Sequence, residues 1–218
     1  MKMNEFYARL RDALQQGIYL LIDPPVRLMG RMGMTPNMVT TLGFVGNALS
    51  AVLLALSALT QESACLWHVG VVGWLILFSS LFDMLDGRLA RTTGQATPFG
   101  AFYDSVLDRY CELLTLGALT FYFLRYGHAL FSLVTLLSLI GSIMVSYVRA
   151  RAEGLGQECK VGLMQRPERV VLTALGAILT PPLGLWALLI PQLLIALLAN
   201  LTAIVRILHV RRSLSPRA

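Results

Sequence analysis

Six long apolar segments constrain the fold of this chain more than any other feature of its sequence. A helix that crosses a bilayer needs about 20 mostly apolar residues. The candidate segments run approximately over residues 38–59, from 67 into an acidic stretch at 83–86, and over 99–124, 130–149, 166–182 and 183–208. Only 14% of the residues are charged, against about 25% in ordinary soluble domains. The sequence therefore predicts an all-α integral membrane protein with six transmembrane helices.

The residues before the first apolar segment differ in character. Residues 4–30 are charged and amphipathic, which predicts a helix lying in the membrane interface and broken at Pro24–Pro25. Two later proline sites affect the helices themselves: Pro181–Pro182 ends the short fifth segment, and Pro191 could kink the sixth. The chain divides into an N-terminal cytoplasmic or interfacial segment (1–34), a six-helix domain (35–210) and a cytoplasmic tail (211–218).

The basic residues indicate how the segments are oriented. If both termini lie on one side of the membrane, only Arg125 of the 18 Lys and Arg residues falls near the opposite face. The positive-inside rule then predicts that both termini and the acidic stretch face the cytoplasm, as in a multi-pass protein of the cell (inner) membrane. The net charge of +6 comes from residues that flank apolar segments. This distribution favours the bilayer surface as the partner and argues against nucleic acid.

Four aspartates stand where membrane helices are predicted. Asp83 and Asp86 are three residues apart, and Asp104 and Asp108 are four apart. Each pair therefore lines one face of its helix. A short turn joins the two helices, so all four carboxylates can converge near the cytoplasmic surface. Acids inside a membrane are costly and usually functional. Clustered carboxylates repel one another unless cations lie among them, and hard oxygen ligands suit Mg²⁺ or Mn²⁺.

The alternative is that these acids form ordinary ion pairs with Arg88, Arg91 and Arg109 in a solvated loop. We disfavour it because the last two aspartates, Asp104 and Asp108, sit at least one turn inside an apolar helix. Glu112 continues the same i+4 row. It is either a supporting group of the site or the structural partner of a nearby arginine.

Small residues accompany the aspartates. Glycine lets a ligand or backbone approach closely, and the helix that carries Gly87 is also thin at Ala90, next to Arg91. Together with metal ions, these residues suggest a site for a diphosphate. Gly100 taken alone is explained as well by helix packing, which membrane helices favour through small residues.

Written in full, the stretch is Asp83-x2-Asp86-Gly87-x2-Ala90-Arg91-x8-Gly100-x3-Asp104-x3-Asp108. Every fixed position and gap resembles the signature of the CDP-alcohol phosphotransferase (CDP-alcohol phosphatidyltransferase) family. The resemblance implies a metal-dependent membrane enzyme that forms a six-helix homodimer with a cytoplasm-facing site. It also implies that two divalent ions bind Asp83, Asp86, Asp104 and Asp108, with Asp108 as the general base. The implied contacts to the CDP group are Thr35, Pro36, Asn37, Met38, Gly87, Ala90, Arg91, Thr97 and Gly100.

The acceptor must be identified from other residues, because the motif concerns the CDP half only. Two arginine-rich stretches, at 146–156 and 162–171, lie around the loop between the fourth and fifth segments. Guanidinium groups bind phosphate through two parallel hydrogen bonds. The predicted acceptor-phosphate residues are Arg149, Arg151, Arg166, Arg169 and Arg206. Flanking charges are the competing interpretation, about equally strong for the first two and accepted for Arg211 and Arg212.

The same two stretches resemble the phosphatidylinositol-phosphate synthase branch of the family. That branch has a Ser-Tyr-x-(Lys/Arg)-Ala-Arg-Ala-Glu segment and a Glu-Arg-Pro-Glu-Arg segment. Here Gln165 replaces the first Glu of the second segment. The resemblance implies that CDP-diacylglycerol and inositol 1-phosphate give phosphatidylinositol phosphate and CMP. The alternatives are a relative that uses glycerol 3-phosphate or an uncharged alcohol and, more remotely, a metal-ion transporter.

Overall fold

The computed structural model describes residues 22–60 and 65–214 of the chain. Within these two ranges the regular structure is entirely helical and contains no strand. The helices are α1 (22–31), α2 (Pro36–Thr60), α3 (Leu66–Thr93), α4 (Pro98–Arg125), α5 (Ala129–Glu153), α6 (Arg166–Leu183) and α7 (Trp186–Leu214). Most of the predicted interfacial helix, residues 4–21, and the end of the tail, 215–218, lie outside the described residues.

Two details differ from the predicted elements. Residues 22–31 are continuously helical, so the predicted break at Pro24–Pro25 is wrong within this range. Helix α7 continues to Leu214 and takes in the first residues of the predicted tail.

The six helices after α1 form a closed ring. Each packs against two others in the order α2, α3, α6, α7, α5, α4 and back to α2. Helix α1 lies against the ring, where Val26 is buried with Val39 of α2 and Leu89 of α3. The ring has an interior to which all six helices contribute side chains.

Glycines allow the ring helices to approach closely. A Cβ atom at Gly73 of α3 would lie 2.7 Å from the backbone nitrogen of Ile178 in α6. A Cβ at Gly141 of α5 would lie 3.0 Å from the backbone nitrogen of Asn200 in α7. Small residues at such contacts are typical of helices that pack in membranes.

The outer surface of the ring is apolar. Large side chains such as Leu53, Trp74 and Leu197 are exposed there. Four helices, α2, α3, α5 and α7, are long and apolar enough to cross a bilayer. Helices α4 and α6 fall outside this set, because α4 carries four charged residues between positions 104 and 112 and α6 carries three within 166–169. The protein is therefore a multi-pass membrane protein with an all-helical fold.

The ring has two distinct ends. The acidic stretch lies where α3 ends and α4 begins, and the start of α6 and the end of α7 lie at the same end. We call this the motif end. The opposite end is built from the end of α2, the start of α3, the end of α4 and the start of α5.

Candidate active site

The turn between α3 and α4 aligns the two acidic helices. Gly94 ends α3 in the left-handed conformation (φ +69°), which favours glycine, and its N–H bonds to Ala90. The Oγ1 atom of Thr97 then caps α4 by accepting a hydrogen bond of 3.0 Å from the N–H of Gly100. Pro98 occupies the first position of α4, where proline is favoured. This short connection brings the carboxylates of the two helices to the same level.

Three of the four aspartates form a compact cluster. One oxygen each of Asp83, Asp104 and Asp108 lies within 4.8 Å of the others. Asp86 is buried beside them, and one of its carboxylate oxygens accepts a 2.5 Å hydrogen bond from Thr40 of α2. We call Asp83, Asp104 and Asp108 the carboxylate cluster.

An arginine from α6 reaches into this cluster. Arg166 donates from Nη1 to Asp83 at 2.5 Å and from Nη2 to Asp108 at 2.7 Å. The arginines considered for pairing from sequence are placed differently. Arg88 binds Asp23 of α1 through two hydrogen bonds of 2.8 and 3.1 Å, and Arg109 approaches Asp108 only to 3.5 Å.

The cluster fits divalent cations by its donor set and by an unused atom. Hard carboxylate oxygens are the ligands that Mg²⁺ and Mn²⁺ prefer. The Oδ1 atom of Asp104 is buried and has no hydrogen-bond partner among residues 22–60 and 65–214. A buried charged oxygen without a partner is costly, and a bound cation would satisfy it.

The residues predicted to contact the CDP group surround the start of α2. Oγ1 of Thr35 accepts a 3.3 Å hydrogen bond from the N–H of Met38, and Pro36 is the first residue of the helix. The side-chain oxygen of Asn37 lies only 3.2 Å from where a Cβ atom on Gly100 would be. Glycine thus allows α4 to approach α2 here, and Asn37 and Thr97 flank the same backbone.

The remaining residues of this set lie on the last turns of α3. A Cβ atom on Gly87 would lie 3.8 Å from Nη2 of Arg91, so the guanidinium group extends over this glycine. Ala90 is half-buried, and Arg91 is exposed. A thin helix surface beside an exposed guanidinium leaves room for a bound anion.

The five arginines predicted to bind the acceptor phosphate do not all reach one site. Arg166 is at the cluster, one turn before Arg169, which is buried and pairs with Glu112 at 2.6 Å. The pairing gives Glu112 the structural role that was one of its two predicted alternatives. Arg149 pairs with Glu153 on the surface at 2.8 Å. Arg151 is exposed.

Arg206 is buried and bonds to backbone instead of to an acid. Its guanidinium donates to the carbonyl of Val161 at 2.8 Å and to the carbonyl of Val145 at 2.6 Å. It therefore ties α7 to α5 and to the loop before α6. Leu163 in the same loop is held by Thr202 of α7. This loop leads directly into Arg166, so Arg206 helps to fix the start of α6.

A cavity of about 50 Å³ extends from the cluster into the ring. Asp83, Asp108 and Arg166 line it at the motif end, and Ser142 of α5 lines it deeper inside. The hydroxyl of Ser142 is buried without a partner. The volume is enough for a few water molecules or for part of a polar ligand.

Sequence reasoning missed several polar residues around this cavity and cluster. Thr40 holds Asp86, Asn47 accepts a 3.0 Å hydrogen bond from Thr115, and Thr41 bonds to Tyr103. Asn47 carried a detectable signal, since an amide in the middle of an apolar membrane helix needs a partner. The threonines carried none, because they can bond to their own helix backbone.

These features define a class of protein: a multi-pass helical membrane protein with a carboxylate cluster suited to a metal ion at one end of the helix ring. The chain belongs to the CDP-alcohol phosphatidyltransferase family, whose model matches residues 33–208. The predicted family is thereby confirmed, and the protein is a phosphatidyl transferase that depends on a divalent metal.

The relatives of the chain point to one branch of that family. It is 32% identical over 200 residues to the phosphatidylinositol phosphate synthase of Mycobacteroides abscessus, covering 91% of this chain and 86% of that one. Identity to the enzyme of the same name from Mycolicibacterium smegmatis is 34% over 218 residues, with coverage of 97% and 91%.

Solved structures agree with this assignment. The structure of Mycobacterium tuberculosis phosphatidylinositol phosphate synthase (PgsA1) with CDP-DAG bound matches with a TM-score of 0.77 and 29% identity, covering 90% of this chain and 98% of that one. The structure of the same enzyme in complex with manganese and citrate matches with a TM-score of 0.78 and 29% identity, covering 90% and 93%.

Proposed function

We propose that this protein transfers the phosphatidyl group of CDP-diacylglycerol to inositol 1-phosphate, giving phosphatidylinositol phosphate and CMP. The observation that carries the proposal is the contact of Arg166 with Asp83 and Asp108. It puts a phosphate-binding guanidinium group beside the carboxylate that is the candidate general base. The relatives named as phosphatidylinositol phosphate synthases support the same acceptor.

The carboxylates serve the CDP half of the reaction. Asp83, Asp104 and Asp108, with Asp86 beside them, hold two divalent ions, Mg²⁺ or Mn²⁺. When bound, such ions neutralise the diphosphate and stabilise the departing CMP. The hydrogen bond from Thr40 fixes Asp86 in orientation, so that α2 supports the site made by α3 and α4.

The nucleotide lies across the start of α2, the end of α3 and the start of α4. Arg91 contacts the diphosphate across Gly87, which has no side chain, and the small side chain of Ala90 leaves the same helix surface accessible. Asn37 and Thr97 contact the cytidine from either side of Gly100. Thr35, Pro36 and Met38 form the rest of this wall as the first turn of α2.

Asp108 acts as the general base. It takes the proton from the attacking hydroxyl of the acceptor, whose oxygen forms the new bond to the lipid-bearing phosphorus. The bond from that phosphorus to the CMP oxygen breaks, and CMP leaves with the electron pair. Asp108 lies on the wall of the cavity, where a hydroxyl group can reach it.

Arg166 binds the acceptor's phosphate directly, since its guanidinium faces both the cluster and the cavity. Arg149 and Arg151 lie at the surface of the same end and attract the anion as it approaches. Arg169 and Arg206 act in support: they hold the start of α6 and the preceding loop in place.

The orientation in the membrane follows from the charges. All six ring helices cross the inner membrane, because α4 and α6 belong to the same closed ring as the four apolar helices. The motif end and both termini face the cytoplasm, because the Lys and Arg residues concentrate there. The functional unit is a homodimer, as the family resemblance implies.

The deciding experiment is an acceptor screen that measures CMP release. Purified protein with Mg²⁺ and CDP-diacylglycerol should release CMP with inositol 1-phosphate, and much less with glycerol 3-phosphate, inositol or serine. Preference for glycerol 3-phosphate or an uncharged alcohol would overturn the acceptor but keep the reaction class. Metal flux into vesicles without any CMP release would favour a transporter instead.

The arginine assignment has its own kinetic test within that assay. Arg166→Ala should raise the KM for the acceptor more than the KM for CDP-diacylglycerol, because the lost guanidinium is the group that binds the acceptor's phosphate, whereas the nucleotide is bound by residues of α2, α3 and α4. Arg212→Ala, which removes an exposed charge at the end of α7, is the control. An unchanged acceptor KM in the Arg166 variant would return Arg166 to the class of flanking charges.

A further inference from the structure

Arg166 binds two of the three carboxylates that would hold a metal ion. Its two terminal nitrogens bind Oδ2 of Asp83 at 2.5 Å and Oδ1 of Asp108 at 2.7 Å. Both acids belong to the carboxylate cluster, whose three oxygens lie within 4.8 Å of one another. The guanidinium therefore acts as a positive counter-ion tethered to α6.

A divalent ion and this guanidinium cannot share the cluster without cost. Each hydrogen bond from Arg166 occupies a lone pair on a carboxylate that a metal ion would also bind. In addition, two cations so close together repel each other. Little solvent lies between them, because the side chains of Arg166 and Asp108 are only 19% and 13% exposed. Metal binding at Asp83 and Asp108 must displace the guanidinium or draw it away.

The surroundings of Arg166 allow such a displacement. It is the first residue of α6, so its side chain is not held between two helical turns. Its third guanidinium nitrogen, Nε, is buried and has no partner in the described part of the chain, and the side chain borders the cavity. An anion in that cavity would satisfy Nε and offer the guanidinium a second partner. A phosphate group matches its fork of donors.

We propose that Arg166 is a substrate-binding residue that exchanges between the carboxylate pair and the acceptor's phosphate, so that metal ion and acceptor each strengthen the binding of the other. The phosphate draws the guanidinium off Asp83 and Asp108, which frees their oxygens for the metal. By reciprocity of linked binding, the metal releases Arg166 for the phosphate. The inference rests on the proposed function for the identity of the acceptor, but not for the competition itself.

The competition is tested without substrate. Mn²⁺ is titrated into purified protein, and free Mn²⁺ is followed by electron paramagnetic resonance. Arg166→Gln should lower the Kd for Mn²⁺ by roughly tenfold or more, since one unit charge about 4 Å away exceeds that factor at an effective dielectric of about 20. Arg212→Gln removes an exposed charge at the end of α7 and should leave the Kd unchanged. Unchanged or weaker Mn²⁺ binding in Arg166→Gln overturns the proposal.

The linkage is tested first in the native protein, where no variant has to fold, and then in Arg166→Gln. Inositol 1-phosphate should lower the Kd for Mn²⁺ in the wild type, after correction for Mn²⁺ that it binds in solution. The same addition should have little effect on Arg166→Gln. An equal effect in both proteins would mean that the phosphate binds the metal directly, and it overturns the exchange. So does the absence of any effect in the wild type.

The two failures can be told apart. If the acceptor assignment is wrong, CMP release fails with inositol 1-phosphate while Arg166→Gln still binds Mn²⁺ more tightly. If the exchange is wrong, CMP release proceeds normally with inositol 1-phosphate, while Arg166→Gln binds Mn²⁺ with the same Kd as the wild type.

Discussion

The two ends of the helix ring are built from the same six helices but differ in the side-chain contacts that those helices make. At the motif end, carboxylates and guanidinium groups face one another around a cavity. Three buried polar atoms there have no partner within the residues that the structure describes: Asp104 Oδ1, Glu112 Oε2 and Arg166 Nε. At the opposite end the contacts are between neutral groups. Ser57 bonds to His68 at 2.6 Å, and the hydroxyls of Tyr122 and Tyr126 donate to backbone carbonyls at 3.1 Å.

The difference indicates that the opposite end contributes to stability, whereas the motif end contributes to ligand binding. Aromatic rings fill the opposite end, with Tyr122 and Tyr126 4.9 Å apart edge to face and Phe131 against Trp186. Paired neutral groups stabilise the bundle there. The buried polar atoms without a partner at the motif end destabilise the ligand-free protein, and a bound ligand can supply the missing contacts. We therefore expect changes at the motif end to alter catalysis and changes at the opposite end to alter stability only.

The largest effect is expected for Asp108→Asn. The variant keeps the shape of the side chain but cannot accept a proton, so CMP release should fall by about 10²–10⁴-fold. The thermal midpoint should change little or rise, because one of several mutually repelling acids is removed. Asp23→Asn, the same chemical change on α1, serves as the control. Near-normal CMP release by Asp108→Asn would refute its role as the base.

Arg169→Met tests whether a residue at the motif end can be needed for stability instead of for binding. Arg169 and Glu112 are 3% and 6% exposed and pair at 2.6 Å, so removing one partner leaves a buried charge alone. The expected loss of stability is about 3–5 kcal/mol, measured by thermal or denaturant unfolding in detergent. The double variant Glu112→Leu/Arg169→Met should recover most of it, and Arg151→Met at the surface should lose almost nothing.

The outcome also decides between two roles for Arg169. If Arg169→Met unfolds like the wild type but has a raised acceptor KM, the residue binds the phosphate as the sequence predicted. If stability falls while the acceptor KM of the folded fraction is unchanged, its role is to support the start of α6.

The sequence alone predicted the helices but not their neighbours. Hydropathy located the six ring helices to within several residues, because a membrane span needs a long apolar run. It could not give the ring order, since lipid-facing and helix-facing apolar residues look alike in sequence. The contact of Arg166 with Asp83 depends on α3 packing against α6, and the residues are 83 positions apart.

The site was predicted in the same uneven way. Spacing on neighbouring helices was enough to bring Asp83, Asp104 and Asp108 together, because the connecting turn is short. The five arginines were grouped by their nearness to one loop, yet they differ in what they contact. Whether an arginine meets an acid, a carbonyl or solvent is decided by tertiary packing, as Arg169 and Arg206 show.

A smaller effect, on stability alone, is expected for a variant at the opposite end. Tyr126→Phe removes the hydroxyl that bonds to the Ser57 carbonyl, which should cost about 1 kcal/mol of unfolding free energy. The kinetics of CMP release should not change, because α4 places Tyr126 at the end of the ring away from the carboxylate cluster. Tyr147→Phe, on an exposed tyrosine, is the control and should change neither. Altered kinetics in Tyr126→Phe would mean that the two ends are coupled.

The smallest effect concerns the ion pair that fastens α1 to the motif end. The hydrogen bonds from Arg88 lower the pKa of Asp23 below its ordinary value, and the charges of Arg88 and Arg27 act in the same direction. A carboxyl group with a lowered pKa stabilises the folded state above its unfolded pKa of about 3.9, and that contribution is lost as the pH falls through the folded value. The docking of α1 should therefore be independent of pH from about 8 to 5 and weaken below about 4.

Hydrogen–deuterium exchange of residues 22–31, expressed as protection factors so that the intrinsic pH dependence is removed, measures that docking. Asp23→Asn should lower the protection slightly at pH 7 and abolish its fall at acidic pH. Arg31→Gln, on an exposed residue of the same helix, should leave both unchanged. If protection in Asp23→Asn equals that of the wild type at every pH, the apolar contacts of Val26 with Val39 and Leu89 hold α1 without the ion pair. The motif end would then depend on buried apolar area for its outer helix, as the opposite end does for its aromatic cluster.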